Sequence, residues 1–598
     1  MNEANKKDHL SRRQFVALTG GTIGLAALGS MGLMAAFEKN EREIDPAGFS
    51  YQENQADVLV IGSGMAGLFA AVKAHDAGAK VMIVSKGRLG SSGLTPFAKG
   101  IFAYDENTSE YSLDEFTDMV SRSALGTNNP VYTRQMAEHS LARVNDLKEW
   151  GFFKSNLYNK AFNVPITERN IPLIERVVIT ALIKENGKIA GASGFSLDEQ
   201  KIHFFNAKTV ILCTGAGGFK PNGFPVCDLT HDGTVMAYQI GAKVTGKEWN
   251  DGHPGRANNP AACYDGWGDM FDQKPSTVSI EIRHDLGVDL NYQAYKNGNP
   301  VQMGPPGAGK NEEVTGGPFV PEEFKRNGRP GPPGGEEGQR GERPGGGGPD
   351  GRRRPPRDGD GAPPGMGGTS VGGSSAGMAI HKSEGLVPVN EKCESNIPGL
   401  YAAGDALGSY MAGAIYTQIG SSLAGSAVQG AVAGEAAAEY CRKVEMPVIS
   451  KSKKSAIEAE MLAPLKREAG YGPAWVTQTL QGIMIPNFVL YIKKESMLKA
   501  ALAYIEELRD HHLPMLRAAD MHELRLAHET ANMIITAEMK LKASLLRKES
   551  RCSHYRLDYP DFDDENWQAW INIYKGEDGT MQFEKQAFGE WPEGKVFS

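Results

Sequence analysis

Residues 58–67 read VLVIGSGMAG, an apolar run rich in β-branched residues that leads directly into a Gly-x-Gly-x-x-Gly turn. Apolar side chains at helical spacing follow over residues 68–77, and a second apolar run over residues 81–84 indicates another strand. In such a unit the first glycine permits the tight turn, the second lets a pyrophosphate approach the backbone, and the third lets helix and strand pack closely. The stretch therefore predicts a dinucleotide site that contains Gly62, Gly64, Met65, Ala66 and Gly67.

The second strand of this unit has an unusual end. An Asp or Glu commonly stands there to bind the ribose hydroxyls, whereas this chain has Ser85 followed by Lys86. A serine hydroxyl still forms hydrogen bonds with a ribose. We therefore predict a variant of the site, with Ser85 and Lys86 among its binding residues.

Later segments indicate which dinucleotide is bound. Residues 207–217 predict a strand that ends in a small-residue turn, of the kind that passes beneath a flavin nucleotide, and residues 399–405 predict a second such strand. Residues 420–423 (GSSL) then open a long Ala- and Gly-rich helix whose N-terminal amides suit negative charge on the flavin. Together they predict FAD, with Asp405 placed for the ribityl hydroxyls. The remaining predicted binding residues are Ser92, Gly93, Leu94, Thr95, Gly100, Val178, Thr214, Gly215, Asp232, Gly404, Ser421, Ser422 and Leu423.

The composition limits the classes of protein that remain. The 598 residues carry a net charge of −8, with 64 Lys+Arg against 72 Asp+Glu, so a nucleic-acid binder, which is usually basic, is not expected. Six cysteines are too few for a disulfide scaffold, and they show no metal-ligand spacing, no CxxCH haem motif and no ferredoxin cluster. A single long apolar run excludes a polytopic membrane protein. We predict no metal site on this chain.

The chain divides into segments of different composition. Residues 301–368 contain 21 Gly and 13 Pro in 68 positions, too little apolar surface to offset the entropy of ordering, so they are predicted to be disordered. We predict an α/β fold with a Rossmann-like FAD-binding domain, an inserted α+β capping domain and a C-terminal helical domain. The predicted boundaries are 1–37 for a signal, 38–56 for a linker, 57–240 and 369–445 for the two parts of the FAD-binding domain, 241–368 for the capping domain with its insert, 446–550 for the helical domain and 551–598 for a C-terminal tail.

The N-terminus is typical of a twin-arginine export signal. Residues 11–15 read SRRQF, and a weakly hydrophobic run follows over residues 16–36. The alternatives are an ordinary secretory signal or a transmembrane anchor, since a run of this length spans a bilayer if it is not cleaved. We expect export to the periplasm or to the outer face of the cytoplasmic membrane, with the twin-arginine translocase as a partner.

Taken with these motifs, the chain resembles flavoproteins of the fumarate reductase/succinate dehydrogenase superfamily, which includes L-aspartate oxidase and the adenylylsulfate (APS) reductase α subunit. The resemblance runs from residue 57 to about residue 590, and includes the Ser-Lys pair, residues 232–237 (DGTVMA) and residues 248–254 (EWNDGHP). Residues 518–525 (AADMHELR), 546–551 (LRKESR) and 555–560 (YRLDYP) resemble the APS reductase α subunit most closely.

Departures from the superfamily pattern shape the functional expectation. Members with covalent flavin have a histidine in the loop after the Ser-Lys strand, and Gly93 stands there, which implies non-covalent FAD. The R-G-E-G-G segment of dicarboxylate reductases is missing and residues 414–420 (AIYTQIG) have no substrate-binding arginine, so fumarate or succinate chemistry is not expected. The APS reductase pattern is incomplete too, because residues 372–375 (GGSS) replace an expected histidine and APS is a cytoplasmic nucleotide.

Three residues are candidates for the active centre. The context of His253 resembles the superfamily's flavin–substrate face, which implies substrate polarisation or proton transfer, with a structural histidine as the alternative. Arg256 stands in a Pro-x-Arg context that resembles a substrate-binding arginine of the APS reductase branch, with a surface arginine as the alternative. Tyr416 stands where flavin ketosteroid dehydrogenases carry a tyrosine and suits a general acid, although core packing is the favoured alternative. Asp251 and His231 are weaker candidates.

The sequence therefore predicts an exported FAD-dependent oxidoreductase that exchanges electrons with a small substrate and with a separate iron–sulfur subunit or cytochrome. The alternatives are an APS-reductase-like enzyme of sulfur metabolism and a non-catalytic flavin-binding subunit. Reactivity towards sulfite and AMP would identify the APS-reductase-like enzyme. A flavin that neither accepts nor gives electrons would identify the non-catalytic subunit.

Overall fold

A computed structural model describes most of the chain outside residues 251–379. The described residues are 44–97, 101–107, 109, 111–154, 158–220, 228–250, 380–381, 384–408, 410–414, 421–485, 487–490, 492–552 and 554–592.

The α-helices of these residues are α1 (Met65–Asp76), α2 (Leu113–Ser123), α3 (Pro130–Glu149), α4 (Tyr158–Glu168), α5 (Asp232–Gln239), α6 (Ser421–Cys441), α7 (Lys451–Met461), α8 (Ala463–Lys466), α9 (Pro473–Met484), α10 (Asn487–Leu490), α11 (Glu495–Glu507), α12 (Met521–Leu546) and α13 (Asp564–Trp567). The strands are β1 (Ser50–Ile61), β2 (Val81–Ser85), β3 (Leu173–Glu175), β4 (Val177–Glu185), β5 (Lys188–Ser196), β6 (Lys201–Leu212), β7 (Gly217–Gly218), β8 (Val244–Thr245), β9 (Ile380–His381), β10 (Gly385–Leu386), β11 (Leu400–Ala402), β12 (Ile492–Lys493), β13 (Tyr555–Arg556), β14 (Ala569–Lys575) and β15 (Met581–Ala587).

A seven-stranded sheet forms the centre of the N-terminal half. The order is β3-β2-β1-β6-β5-β4, and β11 pairs with the C-terminal end of β6. β3, β2, β1, β6 and β11 are parallel to their neighbours, whereas β5 and β4 are added antiparallel. The apolar run of β1 is buried, as is usual for a central strand of a parallel sheet. The predicted α/β class is confirmed.

The first strand begins earlier than the sequence predicts. Residues 50–56, assigned above to the polar linker, pair in parallel register with β6 from Ser50↔Lys201 to Ala56↔Ala207. Most of their side chains are polar and exposed, so the apolar pattern that predicts β1 starts only at residue 58. The linker prediction is wrong for these residues, because backbone pairing alone extends the strand.

Helix α6 lies directly against α1. A Cβ added at Gly430 would lie 2.3 Å from the carbonyl oxygen of Ala66, and one added at Gly434 would lie 2.4 Å from that of Ala70. Larger side chains would separate the two helices, which explains the Ala- and Gly-rich composition of α6. This packing joins the second part of the predicted FAD-binding domain to the first.

The C-terminal region is helical, as predicted, and has an apolar core of its own. Val476, Leu480, Leu498, Ile505 and Met533 are among the buried residues of this core. The predicted helical domain, residues 446–550, contains the helices α7 to α12.

The last residues form a β-hairpin, which corrects the prediction of a C-terminal tail over residues 551–598. β14 and β15 pair antiparallel from Ala569↔Ala587 to Lys575↔Met581, and β14 also pairs with β8. Because β8 is far away in the sequence, the local pattern does not reveal this sheet.

Several predicted segments lie outside the described residues: the signal at 1–37, residues 251–368 of the capping domain and the insert at 301–368. Within the part of the chain that the structure covers, no helix has the length and apolar character needed to cross a bilayer.

Candidate functional site

Predicted binding segments from distant parts of the sequence meet at one edge of the sheet. β1, β2, β6 and β11 end at Ile61, Ser85, Leu212 and Ala402, and the register places Leu212 beside both Ile61 and Ala402. Carboxyl ends of parallel strands are where open α/β sheets bind their ligands. The glycine turn, the Ser-Lys pair and the turns after β6 and β11 therefore surround one site.

The glycine turn leaves no room for side chains. Gly62 has φ +111°, and a Cβ there would lie 2.2 Å from the carbonyl oxygen of Cys213. A Cβ on Gly67 would lie 2.0 Å from the Gly62 carbonyl oxygen, whereas one on Gly64 would meet only Thr95 Oγ1, at 3.2 Å. Gly64 therefore opens onto space at the N-terminus of α1, where backbone amides and the helix dipole favour a pyrophosphate. This cradle fits the central part of FAD.

Two hydroxyl groups anchor the loops around this turn. Ser63 Oγ donates to Ser85 Oγ at 2.7 Å, so the hydroxyl predicted to bind the ribose is tied to the glycine turn. Thr95 Oγ1 accepts a hydrogen bond from the amide of Met65 at 3.1 Å, which brings residues 91–95 to the start of α1. Gly93, in the same loop, has φ +71°.

Lys86 lies in a largely buried cluster of charges. Its Nζ is 2.6 Å from Asp232 Oδ2, 2.9 Å from Glu529 Oε1 and 3.2 Å from Thr230 Oγ1. Burial opposes the charged form, but the carboxylates outweigh it and hold the pKa of Lys86 above its usual value. Asn532 Nδ2 donates to the other oxygen of Asp232 at 2.8 Å. The predicted binding residues Lys86 and Asp232 are thus a directly bonded pair.

The sequence reasoning does not find Glu529 or Asn532, which α12 carries to this cluster. The Glu529 side chain is 1% exposed and also pairs with Lys220 at 2.7 Å. Burial alone would raise the pKa of Glu529, but Lys86, Lys220 and Arg525 together lower it to about 2. One feature of the sequence could have indicated Glu529: it stands on the apolar side of a helical pattern. A glutamate buried at such a position requires a cationic partner.

The turn after β6 packs on the start of α5. Gly215 has φ +75°, and a Cβ on Gly233 would lie 2.0 Å from Thr214 Oγ1. This contact places Thr214 and Gly215 next to Asp232, which begins α5. Val178 is buried in β4, on the antiparallel side of the sheet.

The second part of the FAD-binding domain completes the edge. Gly404 has φ +67°, its amide donates to Gln429 Oε1 at 3.0 Å, and a Cβ there would lie 2.8 Å from Ser426 Oγ. Asp405 follows in the short 3₁₀ turn Gly404–Ala406. The first residues of α6 are the predicted Ser421, Ser422 and Leu423.

The predicted catalytic residues cannot be located in the same way. His253, Arg256 and Tyr416 lie outside the described residues, as do Gly100 and the weaker candidate Asp251. Their assignments remain predictions.

Two family models match the chain at its two ends. The model described as "FAD binding domain" matches residues 57–164, and the model described as "Fumarate reductase flavoprotein C-term" matches residues 477–593. A curated relative, one of the subunits of the fumarate reductase (CoM/CoB) of Methanothermobacter marburgensis, is 26% identical over 559 residues, which cover 86% of this chain and 96% of the relative.

Solved structures share the fold. Adenylylsulfate reductase of Archaeoglobus fulgidus has a TM-score of 0.66 at 20% identity, and the comparison covers 94% of this chain and 100% of that one. The quinol fumarate reductase of E. coli also has a TM-score of 0.66, at 17% identity, with 91% and 99% covered.

The two-part dinucleotide cradle, the match to the FAD-binding model and the curated relative together identify the chain as an FAD-dependent oxidoreductase. The two family models and the curated relative confirm the resemblance to fumarate reductase/succinate dehydrogenase flavoproteins that the sequence motifs predict.

Proposed function

We propose that this protein is an exported oxidoreductase whose non-covalent FAD exchanges electrons with a small substrate and with a separate redox protein, either an iron–sulfur subunit or a cytochrome. The observation that carries the proposal is the FAD cradle, in a sequence that has neither a CxxCH haem motif nor a ferredoxin cysteine cluster.

The cysteines support the need for a partner. Cys213, Cys393, Cys441 and Cys552 are dispersed and buried, and burial raises the pKa of each thiol. Such thiols are poor ligands for a cluster. Among the described residues, no group of three or more His, Cys, Asp or Glu side chains is arranged to hold a metal. We therefore propose that electrons entering through the substrate leave to another carrier.

The residues of the cradle have distinct tasks in this proposal. Bound FAD supplies hydride chemistry towards the substrate and electron transfer towards the partner. The turn at Gly62–Gly67 would bind the pyrophosphate, Asp405 would hold the ribityl chain, and Lys86 with Asp232 would border the nucleotide. The N-terminal amides of α6 at Ser421 would stabilise negative charge on the flavin.

The substrate is a small molecule other than a C4-dicarboxylate. This proposal rests on the missing R-G-E-G-G segment and on the absence of arginine from residues 414–420. His253 and Arg256 are the residues proposed to contact the substrate, as a proton donor and an anion clamp.

The proposal is tested on the full chain with its own N-terminus. Purified protein should contain FAD, and reduced viologen should drive turnover with one member of a panel of small oxidised substrates. Absence of flavin from the purified chain would overturn the proposal. Replacement of both signal arginines, R12K with R13K, should retain the protein in the cytoplasm, and unchanged export would remove the twin-arginine route.

A second candidate function is an APS-reductase-like sulfur enzyme. Residues 254–256 (PGR) and the C-terminal runs that resemble that branch favour it. Bleaching of the flavin by sulfite, together with AMP-dependent activity, would support this function, and absence of both would exclude it.

A further inference from the structure

His231 occupies a strained and buried position beside the cofactor cradle. It immediately precedes α5, and its φ of +63° is a left-handed value that few residues other than glycine adopt. Its ring covers Gly217 at the start of β7, because a Cβ added there would lie 1.8 Å from His231 Nδ1. Backbone strain of this kind persists where the surrounding structure enforces it, and it concentrates at functional sites.

A carboxylate orients the ring. His231 Nδ1 lies 2.9 Å from Glu384 Oε1, and the other oxygen of Glu384 pairs with Lys247 Nζ. All three side chains are at most 1% exposed. Because a carboxylate only accepts hydrogen bonds, Nδ1 carries the proton, and Nε2 of the neutral ring is an acceptor. This arrangement of a histidine fixed by a carboxylate is the one that general bases use.

The three residues come from three different parts of the molecule. His231 belongs to the turn that leads into α5, Glu384 immediately precedes β10, and Lys247 follows β8 in the segment that enters the predicted capping domain. The triad therefore lies where the two parts of the FAD-binding domain meet that segment, and such junctions commonly form ligand sites.

Burial and the surrounding charges keep the ring neutral. Burial, and then the nearby Lys247 and Lys540, hold the pKa of His231 well below its usual value. Glu384 also contacts Lys247 Nζ, so its carboxylate is shared between the ring and this lysine. Phe219, with its ring centroid 5.5 Å away, covers another side of the imidazole. A proton is then favoured on Nε2 only when negative charge arrives nearby.

We propose that His231 is the proton-accepting residue of this redox centre, beyond the role proposed above for His253. When two electrons enter the cofactor from a reduced substrate or partner, one proton from that donor or from solvent forms an Nε2–H bond. The Nδ1–H bond to Glu384 is retained, and the charge of the His231–Glu384 pair changes from −1 to 0. This inference rests on the FAD-dependent activity but not on the identity of the substrate.

The test counts protons on the holoenzyme. Wild type, H231N, H231G and E384Q are reduced anaerobically with a deazaflavin photosystem in weakly buffered solution, and an indicator dye reports the protons taken up per FAD. Asparagine and glycine both accept the left-handed backbone, so both variants should fold and retain FAD. H203N, at another buried histidine near the start of β6 and so at the opposite end of that strand from the site, is the matched control.

In the neutral range, H231N and H231G should each take up fewer protons per FAD than wild type, by at most one, and H203N should match wild type. E384Q keeps an acceptor for Nδ1–H but loses the anion, so the pKa of the imidazole falls and its uptake should appear only at lower pH. Equal uptake in wild type and in the His231 variants would overturn the inference. Loss of FAD from both His231 variants would also overturn it, because the ring would then serve the fold.

Failure of the proposed function would be seen separately. Photoreduction needs no substrate, so a chain without any viologen-linked turnover would still give the proton count that decides the role of His231.

Discussion

Gly67 and Gly482 are both glycines within helices, and they allow a matched test of the nucleotide turn at the scale of single residues. A Cβ at Gly67 would lie 2.0 Å from the carbonyl oxygen of Gly62, whereas nothing lies within 4 Å of a Cβ at Gly482. G67A should therefore force α1 away from β1, reduce bound FAD, and lower the unfolding free energy by about 3 kcal/mol, as severe overpacking does. G482A should raise it by about 1 kcal/mol, because alanine favours a helix. Urea unfolding and FAD per chain measure both effects, and similar results for the two variants would contradict the steric role.

The same contrast explains which site residues the sequence reveals. Gly62, Gly64 and Gly67 are predictable because one local turn needs all three, and the motif is contiguous. Glu529 is not predictable from the sequence, because its role depends on Lys86 and Lys220. Only the tertiary fold brings these lysines within hydrogen-bonding distance of it. A sequence pattern reports on neighbours along the chain, whereas a buried ion pair depends on neighbours in space.

At the scale of elements, Glu529 connects α12 to the nucleotide edge of the sheet. Its lowered pKa stabilises the fold while it is ionised: the contribution is fully present above its ordinary value of 4.5 and is lost as pH falls through about 2. E529Q leaves Lys86 and Lys220 without this charge, so at neutral pH it should lower the unfolding free energy by about 3 kcal/mol. The difference from wild type should shrink as the pH falls below 4.5. Urea unfolding over a pH series measures it.

Glu507 provides the control for this pH series. It lies at the end of α11, is 56% exposed, and is 3.7 Å from His511. E507Q should change the unfolding free energy by less than about 1 kcal/mol, as is usual for exposed pairs. A pH-independent effect of E529Q would show that shape rather than charge holds α12 in place.

The C-terminal hairpin is a second element whose importance the sequence conceals. Trp570 in β14 is buried, its Nε1 donates to the carbonyl oxygen of Thr127 at 3.0 Å, and its ring lies 5.0 Å from that of Tyr410. W570A should lower the unfolding free energy by about 4 kcal/mol, whereas F562A, at a partly exposed aromatic residue, should cost less than about 1 kcal/mol. Thermal unfolding distinguishes the two variants, and equal shifts would mean that the buried contacts of Trp570 do not stabilise the fold.

At the scale of the whole molecule, the cofactor site is assembled from two parts of the chain. The first part supplies β1, β2 and β6, and the second supplies β11 and α6, which pairs with α1 through glycine contacts. The class of fold is predictable because each part carries its own apolar pattern. Two features are not predictable: the pairing of β14 with β8 and the extension of β1 to Ser50. Both depend on backbone hydrogen bonds, which do not require a periodic pattern of apolar side chains.

A ligand that contacts both parts should stabilise the whole chain. Each tenfold increase in free FAD above its Kd should add about 1.4 kcal/mol to the stability of the apoprotein. FMN has no adenosine and no second phosphate, so it cannot bind the turn at Gly62–Gly67 and the flavin region together, and its effect should be much smaller. Thermal unfolding of the apoprotein with either nucleotide measures this. Equal shifts with FMN would contradict the two-part site.

Because Gly93 replaces the histidine of covalent members, acid precipitation of the holoprotein should leave the yellow flavin in solution. Flavin that stays with the precipitate would contradict non-covalent binding.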